Sequence, residues 1–559
     1  MTRWRLTVAL VLLLLVGVPA AMPFLELLGH TRGWEAWAES ERLASLAGNT
    51  LSLVTGTLVL ALPVGIVGAV LLYRTDLPLC RLLRFLTVLT LFIPLPLFTS
   101  AWQAALGTGG WLPVALWSRF NTTGPGMIQT PTAWSPWAQG LGAAVWVHAV
   151  AAVPWVIVLV GQSLCWVERE LEEDALTVAG PWRVLWKVTL PRCRATILAA
   201  ALWVGLLTVT EITVTDMMQV RTFAEEIYTQ YVVRDENAVA RAVAVSLPLV
   251  LLCWVSVVWA ALRWERTLPP RERLGSSPLP LPLGRARWPC LLVVLLVAGF
   301  LLGIPVASLV WKAGLAGTPR TWSAPVVGYH LRQALRTHGG MLGESLLMAV
   351  LAGGLSAAIA LVLCWLAADA RWFRVGTLGM MAIAWALSGP VIGLGLKSTI
   401  ARILDLSPPH SLAVALYYGP SPLPAVWAYF IRFFPCAVAI VWLVVRVLPS
   451  ELRDAARVDG ARPSQELRHV IFPLCAPACL QAGMAVAILS LGELGASKIV
   501  DTPGSPTFAH QVFTQMHYGV TNDLAALCLL LLALVIFGVA SLSVLAGQQG
   551  ILTVFRSPR

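Results

Sequence analysis

Two stretches, 282 residues apart, decide how this chain is read. They are Glu172-Glu-Asp-Ala-Leu-Thr-Val-Ala-Gly180-Pro181, running on to Leu190-Pro191, and Asp454-Ala-Ala-Arg-Val-Asp-Gly460-Ala-Arg-Pro463, running on to Phe472-Pro473. Each takes 20 residues from its leading acid to its closing proline, and each has a proline at its tenth position. The register persists beyond them: Glu211 lies 39 residues past Glu172, and Glu493 lies 39 past Asp454. Further on, Thr222-Phe223-Ala224 with Thr229-Gln230 recurs as Thr507-Phe508-Ala509 with Thr514-Gln515, now at an offset of 285, a three-residue insertion around Thr502 to Ser505. Three matched features in one order at nearly one offset read as an internal duplication.

The material around the repeats is apolar. Of 559 residues, 58% are hydrophobic and 12% charged, with mean hydropathy +0.77; an ordinary soluble domain carries about 25% charged residues. A soluble fold this large has too little interior to hide so many apolar side chains, whereas lipid removes the difficulty. The net charge of +11 sits in short basic clusters between apolar runs, as expected of loops facing anionic lipid, and no nucleic-acid module is recognisable. The ten cysteines include no Cys-x-x-Cys pair, and Cys475 and Cys479 are one helical turn apart. They read as small apolar fillers, so neither structural disulfides nor a metal site is expected.

A helix needs about 20 apolar residues to cross the hydrocarbon core. Twelve such stretches occur, near 6–28, 50–73, 84–106, 139–163, 195–217, 241–262, 289–313, 343–367, 375–397, 424–448, 475–497 and 523–546. Six spans, a Pro- and Arg-rich linker and six more give an all-α integral membrane protein whose halves are parallel repeats, because an even number of crossings restores the orientation. The first stretch, with Arg3 and Arg5 before a leucine run and small residues near Ala20, also fits a cleavable signal peptide, and the remaining topology is the same either way. With the N-terminus inside, cytoplasmic segments hold 25 of the 39 Lys and Arg and the outer ones 14, so both termini are expected in the cytoplasm of a bacterial inner membrane. The expected organisation is a first helix and outer segment (1–48), a first repeat domain (49–263, with the loop at 172–191) and a cytoplasmic linker (264–288). A seventh helix and outer segment (289–338), a second repeat domain (339–546, with the loop at 454–473) and a cytoplasmic tail (547–559) complete it.

An acid, small residues, a glycine and a closing hydrophobic-Pro pair, placed before the penultimate span, resemble the EAA loop of ABC importer permeases. The second copy (Asp454, Ala455, Ala456, Gly460, Pro473) follows that pattern with Asp for Glu. The first keeps Glu172, Ala175 and Pro191 but has Glu173 and Asp174 at small positions, Val178 at the usual glycine, and Gly180 two positions late. The resemblance runs over nearly the whole chain. It is similar to the tandem permeases of the ferric-iron and thiamine importers, and Leu491-Gly492-Glu493-Leu494-Gly495-Ala496, Thr507-Phe508-Ala509 and His517-Tyr518-Gly519 look more like the iron(III) group. The resemblance implies a type I ABC importer permease fold, a cytoplasmic ATPase dimer with one subunit per loop, and a periplasmic substrate-binding protein. It implies no cofactor in this chain, ATP and Mg being bound by the partner ATPase, and no catalytic residue. The only approach to a phosphate loop, Gly389 to Thr399, lacks the Gly-Lys pair and lies in an apolar span.

The loop residues are therefore read as ATPase-coupling: a short amphipathic helix offers a small-residue face for a partner's groove, and glycine permits the turn after it. Glu211 and Glu493 fall near the outer ends of equivalent spans, where an acid costs about 2.5–3.5 kcal/mol on insertion scales. Either they flank a path for a cation or they hold neighbouring helices together. Asp216 and Lys498 occupy equivalent positions with opposite charge, and either pair across the halves or sit among headgroups. Trp102, Trp111, Trp117, Trp134 and Trp137 suggest an interfacial aromatic belt. The competing classes are a secondary transporter, which has no use for a repeated loop of this form, and a membrane-embedded enzyme, for which no nucleophile motif or His-rich cluster is present.

Overall fold

The structure, a computed structural model, describes every residue except 1, 108–109, 114–138, 233–236, 268–278, 318–320 and 550–559. The first half runs through α1 (Thr2–Gly29), α2 (Ser40–Arg74), α3 (Cys80–Leu91), α4 (Leu95–Leu106) and α5 (Leu141–Cys165). It continues with α6 (Arg169–Val178), α7 (Pro181–Arg192), α8 (Arg194–Val209), α9 (Thr213–Met217), α10 (Phe223–Val232) and α11 (Ala238–Thr267). The second half repeats this order as α12 (Gly284–Ala313), α13 (Ala324–Ala368), α14 (Arg371–Ala386), α15 (Gly389–Asp405) and α16 (Leu423–Val445). Then come α17 (Ser450–Val458), α18 (Pro463–Ser490), α19 (Ser497–Val500), α20 (Phe508–Met516) and α21 (Asn522–Gln549). A two-stranded ribbon, Leu315–Ala316 with Thr321–Trp322, separates α12 from α13.

Among the described residues nine helices are long and apolar enough to cross a membrane, and up to twelve if each of three bent pairs is one span. Two of the bent pairs correct the straight spans expected at 84–106 and 375–397, and the span expected at 195–217 ends at Val209, with its bend ahead of it at Cys193. The chain turns by 101° between α3 and α4, 62° between α7 and α8, and 107° between α14 and α15. The causes are local. Pro94 has no N–H to continue α3, and α14 ends where Leu387 and Ser388 turn extended (ψ 129 and 155) ahead of Gly389-Pro390.

The two halves are interleaved. Leu12, Val16 and Ala20 of α1 share a core with Cys364, Phe430 and Val441 of the second half. The Trp427 indole N–H donates to the Leu15 carbonyl at 2.7 Å, and Gly395 of α15 lies so close to the Pro19 carbonyl that a Cβ there would come within 2.0 Å. In return, Leu309 and Ala313 of α12 pack with Trp102 and Ala105 of the first half, and Phe300 meets the rings of Trp102 and Trp146 at 5.6 and 5.3 Å. Trp102 is thus buried rather than interfacial, while Trp111 is exposed; Trp117, Trp134 and Trp137 lie outside the described residues. Within each half, small residues let helices approach closely in the absence of a hydrophobic drive between them. Gly65 of α2 faces Val156 of α5, and Gly353 of α13 faces the backbone of Gly483 in α18.

Candidate functional site

Both loops take the same shape. A short amphipathic helix is followed by a helix opening on a proline, Pro181 or Pro463. Next comes one π-turn, Leu185–Thr189 or Leu467–Ile471, closed by Leu190 N–H donating to the Leu185 carbonyl and Phe472 N–H to that of Leu467. Pro191 and Pro473 sit directly after these turns. A proline ring clashes with the carbonyl four residues back in a regular α-helix, and the wider π-turn relieves that clash. The proline that closes each stretch therefore has a structural counterpart in a helix widened just ahead of it.

The loops differ in how they are tied to the bundle. Glu172 is buried. It accepts from Arg74 Nη2 at 2.5 Å and from Thr189 Oγ1 at 2.6 Å, and Arg74, the last residue of α2, also donates to the Leu164 carbonyl at 3.0 Å. Asp454, its counterpart in register, is instead exposed, with only a 3.5 Å contact to Arg457. The buried acid of the second loop is Glu466, which sequence reasoning missed. It accepts from Trp365 Nε1 (3.1 Å), Arg453 Nε (2.9 Å) and Arg457 Nε (3.2 Å). Both arginines also reach Asp369, just past the end of α13: Arg453 bidentately at 2.8 and 2.6 Å, Arg457 at 2.9 Å. Burial pushes the Asp369 carboxyl up, but the two guanidiniums outweigh it and hold the group below the usual carboxylate range. In the first half a cation ends the span and an anion rides on the loop helix; in the second the signs are reversed.

The helix ends differ as well. Gly460 has φ +81, and with Gly460 N–H on the Arg457 carbonyl (3.1 Å) and Ala461 N–H on that of Ala456 (3.0 Å) it closes α17 in a Schellman motif. Gly180 does not supply the expected left-handed turn: its φ is −68, and it precedes Pro181 as an extended N-cap. Ala175 accepts the closing hydrogen bond of α6 from Ala179 N–H, while Ala455 is exposed and Ala456 half-buried on α17. The last residue of each loop helix is a bare apolar side chain, Val178 (89% exposed) or Val458 (87%), joined by Trp182 and Trp186 in the first loop.

At the far end of α8 and of α18 the repeated acids do the same job. Glu211 accepts from the backbone N–H groups of Thr213 (2.7 Å) and Val214 (2.9 Å), and Glu493 from those of Ala496 (2.8 Å) and Ser497 (3.0 Å). Each carboxylate thus faces the N-terminus of a short helix, α9 or α19, where anions are favoured. The Leu491–Ala496 phrase is a close-packing requirement. A Cβ on Gly492 would lie 2.4 Å from Pro94 of the other half, and one on Gly389 would lie 2.9 Å from Gly495. The repeated Thr-Phe-Ala word is a helix start. Thr222 Oγ1 accepts from Glu225 N–H (3.4 Å) and Thr507 Oγ1 from His510 N–H (3.3 Å), while Phe223 N–H donates to Thr50 Oγ1 (3.3 Å) and Phe508 N–H to Ser345 Oγ (2.8 Å).

Asp216 and Lys498 do not pair with each other. Asp216 meets His517 Nε2 across the halves at 3.2 Å, and Lys498 Nζ lies 4.6 Å from the Tyr228 ring and 4.5 Å from that of Phe513. Sequence reasoning also passed over Arg432, the one basic residue inside α16. Its guanidinium donates to the Leu387 carbonyl (2.8 Å) and, across the halves, to Thr210 Oγ1 (3.4 Å), with Glu493 and Glu211 both within electrostatic range. The signal was available, since a lone arginine in an apolar span marks a functional position by default.

A multi-pass bundle with this repeated loop has the fold of a transport permease. Residues 289–551 match the family described as binding-protein-dependent transport system inner membrane component. A Salmonella typhimurium protein named as a 2-aminoethylphosphonate transport system permease, PhnV, is 26% identical over 279 residues, which cover 48% of this chain and 97% of that protein. Escherichia coli PotI, a putrescine transport system permease, is 29% identical over 111 residues (20% of this chain, 40% of PotI). Mycobacterium tuberculosis SugB, a trehalose transport system permease, is 38% identical over 60 residues (11% and 22%). The similar proteins are transport components, and this chain is a transport subunit rather than an enzyme.

Proposed function

We propose that this chain is the permease subunit of an ATP-driven, binding-protein-dependent importer, with both permease halves fused in one polypeptide. The observation that carries the reading is the pair of loops 282 residues apart, each an amphipathic helix, a proline-led helix and a π-turn, each anchored to the end of its own half's second span. On this reading both loops and both termini face the cytoplasm. Val178 and Val458 present apolar anchors to the two subunits of a separate ATPase that binds ATP and Mg, and a periplasmic binding protein delivers the solute to the other side. Glu172, Ala175, Gly180 and Pro191 in one loop, and Asp454, Ala455, Ala456, Gly460 and Pro473 in the other, are the coupling positions. Glu211 and Glu493 stand beside the solute path. The similar permeases are named for an organophosphonate, a polyamine and a sugar, which lends nothing to ferric iron or thiamine in particular. We hold the substrate at a small solute, with 2-aminoethylphosphonate the first to assay and iron(III) the second.

The test is ATPase activity of the chain reconstituted with its ATPase and the loaded binding protein. Val178→Asp and Val458→Asp, which alter only bare side chains, are expected to abolish stimulation while the chain still folds. An ATPase that neither associates with the chain nor responds to these changes overturns the reading.

A further inference from the structure

Arg432 is the tenth of the 23 residues of α16, roughly 14 Å from one end of the helix and 20 Å from the other at 1.5 Å per residue. A cation at that depth demands a partner. The hydrogen bonds described for it do not include the two obvious ones: Glu211 and Glu493 each accept two backbone N–H groups, which leaves both carboxylates further acceptor capacity. The guanidinium has five N–H groups, and the hydrogen bonds described, to Leu387 and Thr210, engage only two of its nitrogens. On Glu211 itself stands His148, 4% exposed, whose Nε2, with no hydrogen-bond partner, lies 3.8 Å from Glu211 Oε2. Trp203 Nε1 is likewise buried without a partner, and its ring meets Trp385 of the other half at 5.1 Å. Arg432 thus reaches the other half at Thr210, next to Glu211, whose carboxylate faces His148, while Glu493 acts on the guanidinium from its own half.

We propose that Arg432, His148, Glu211 and Glu493 form a solute subsite at the junction of the halves that takes a small zwitterion, its anionic group on Arg432 and its cationic group toward the two carboxylates. The proposal rests on the permease reading. A pure cation leaves the guanidinium repelling it, and a pure anion meets two carboxylates. A solute carrying both charges satisfies both signs and adds no net charge to the interior. The hydrogen bond that Arg432 donates to Thr210 also spans the halves, so a solute that takes over the guanidinium replaces a contact between the halves with one to itself.

The experiment measures binding to the full chain in lipid nanodiscs by ligand-induced thermal shift, with 2-aminoethylphosphonate, ethylphosphonate and ethylamine as probes. Association with the ATPase is scored on the same preparation. The zwitterion should bind at least about ten-fold more tightly than either single-charge analogue, the worth of one charge-assisted hydrogen bond. R432Q should remove the preference over ethylamine while leaving that over ethylphosphonate, R432K should restore part of what R432Q loses, and H148Q should weaken binding of the zwitterion. If R432Q does not fold, R432K and H148Q carry the test. Equal binding of zwitterion and ethylamine, no binding of any probe, or a preference over ethylamine that survives R432Q overturns the subsite. Failure of the ATPase to associate would instead overturn the permease reading.

Discussion

Removing one member of the Arg74–Glu172 pair should release the first loop, and the size of the effect follows from where the pair sits. Both side chains are 1% exposed, and each carboxylate oxygen accepts one hydrogen bond, from Arg74 or from Thr189. Glu172→Leu leaves a buried guanidinium with only the Leu164 carbonyl, and stranding one member of a buried ion pair costs about 3–5 kcal/mol. If that falls on local opening of α6 and α7, the open population rises by roughly two to three and a half orders of magnitude, a factor of ten per 1.4 kcal/mol. Amide hydrogen exchange over residues 168–190 reads it directly. Asp369→Asn in the second half should do far less: its side chain is 33% exposed and Glu466 stays in place for both arginines, and ion pairs that share solvent are worth about 1 kcal/mol or less. The decisive control is the double replacement Arg74→Met with Glu172→Leu, because exchanging a buried pair for apolar groups of similar volume is often nearly neutral. Exchange that is unchanged in the single variant, or a double variant as loose as the single, refutes the account of a buried pair holding the loop.

Gly460→Ala should lower the melting temperature by the cost of a left-handed alanine, about 1 kcal/mol, because Gly460 has φ +81. Gly180→Ala, at φ −68 in open space, should be neutral or slightly stabilising, and the same thermal scan compares them. The Asp369 contribution should depend on pH: its folded pKa lies below the unfolded value of about 3.9, so the stabilisation is complete above that value and disappears as pH falls through the lower, folded pKa. The difference in melting temperature between wild type and Asp369→Asn should therefore hold steady from pH 8 to 5 and close only in stronger acid. Gly492→Val should force Pro94 away, since even a Cβ would come to 2.4 Å. A cysteine pair bridging α4 and α18 should then cross-link more slowly than in the parent, with no change for a pair within α2 and α5.

The all-helical membrane class, the repeat and the place of the loops were legible because hydropathy and spacing are one-dimensional signals, while of the twelve spans expected nine stand as single helices among the described residues. The bends at Pro94 and at Gly389-Pro390 carried a signal too, but lipid-embedded helices tolerate such residues so often that a window of hydropathy passes over them. The crossing of α1 and α12 into opposite halves was not legible, since lipid-facing and protein-facing surfaces of such helices are similarly apolar. Asp454 was matched to Glu172 by position, and spacing cannot tell which acid of a loop turns inward; Glu466, twelve residues on, is the one that does. Arg432 was visible as a single charge in an apolar span, and only the structure brings it to Thr210 of the other half.

The reversed polarity of the two tethers has a consequence that neither tether has alone. The loops share one order of short helix, proline-led helix and π-turn, so that order alone does not tell one span end from the other while the chain folds. The charges distinguish them. The first loop under α13 would set Glu172 against Asp369, and the second under α2 would set Arg453 and Arg457 against Arg74. Like charges brought together with little water cost several kcal/mol, whereas the native pairings are favourable on both sides. A duplicated sequence that kept one polarity in both copies would lack that discrimination. The divergence between the halves at these positions thus leaves the shape of the loops intact while giving each loop a single span end that accepts it.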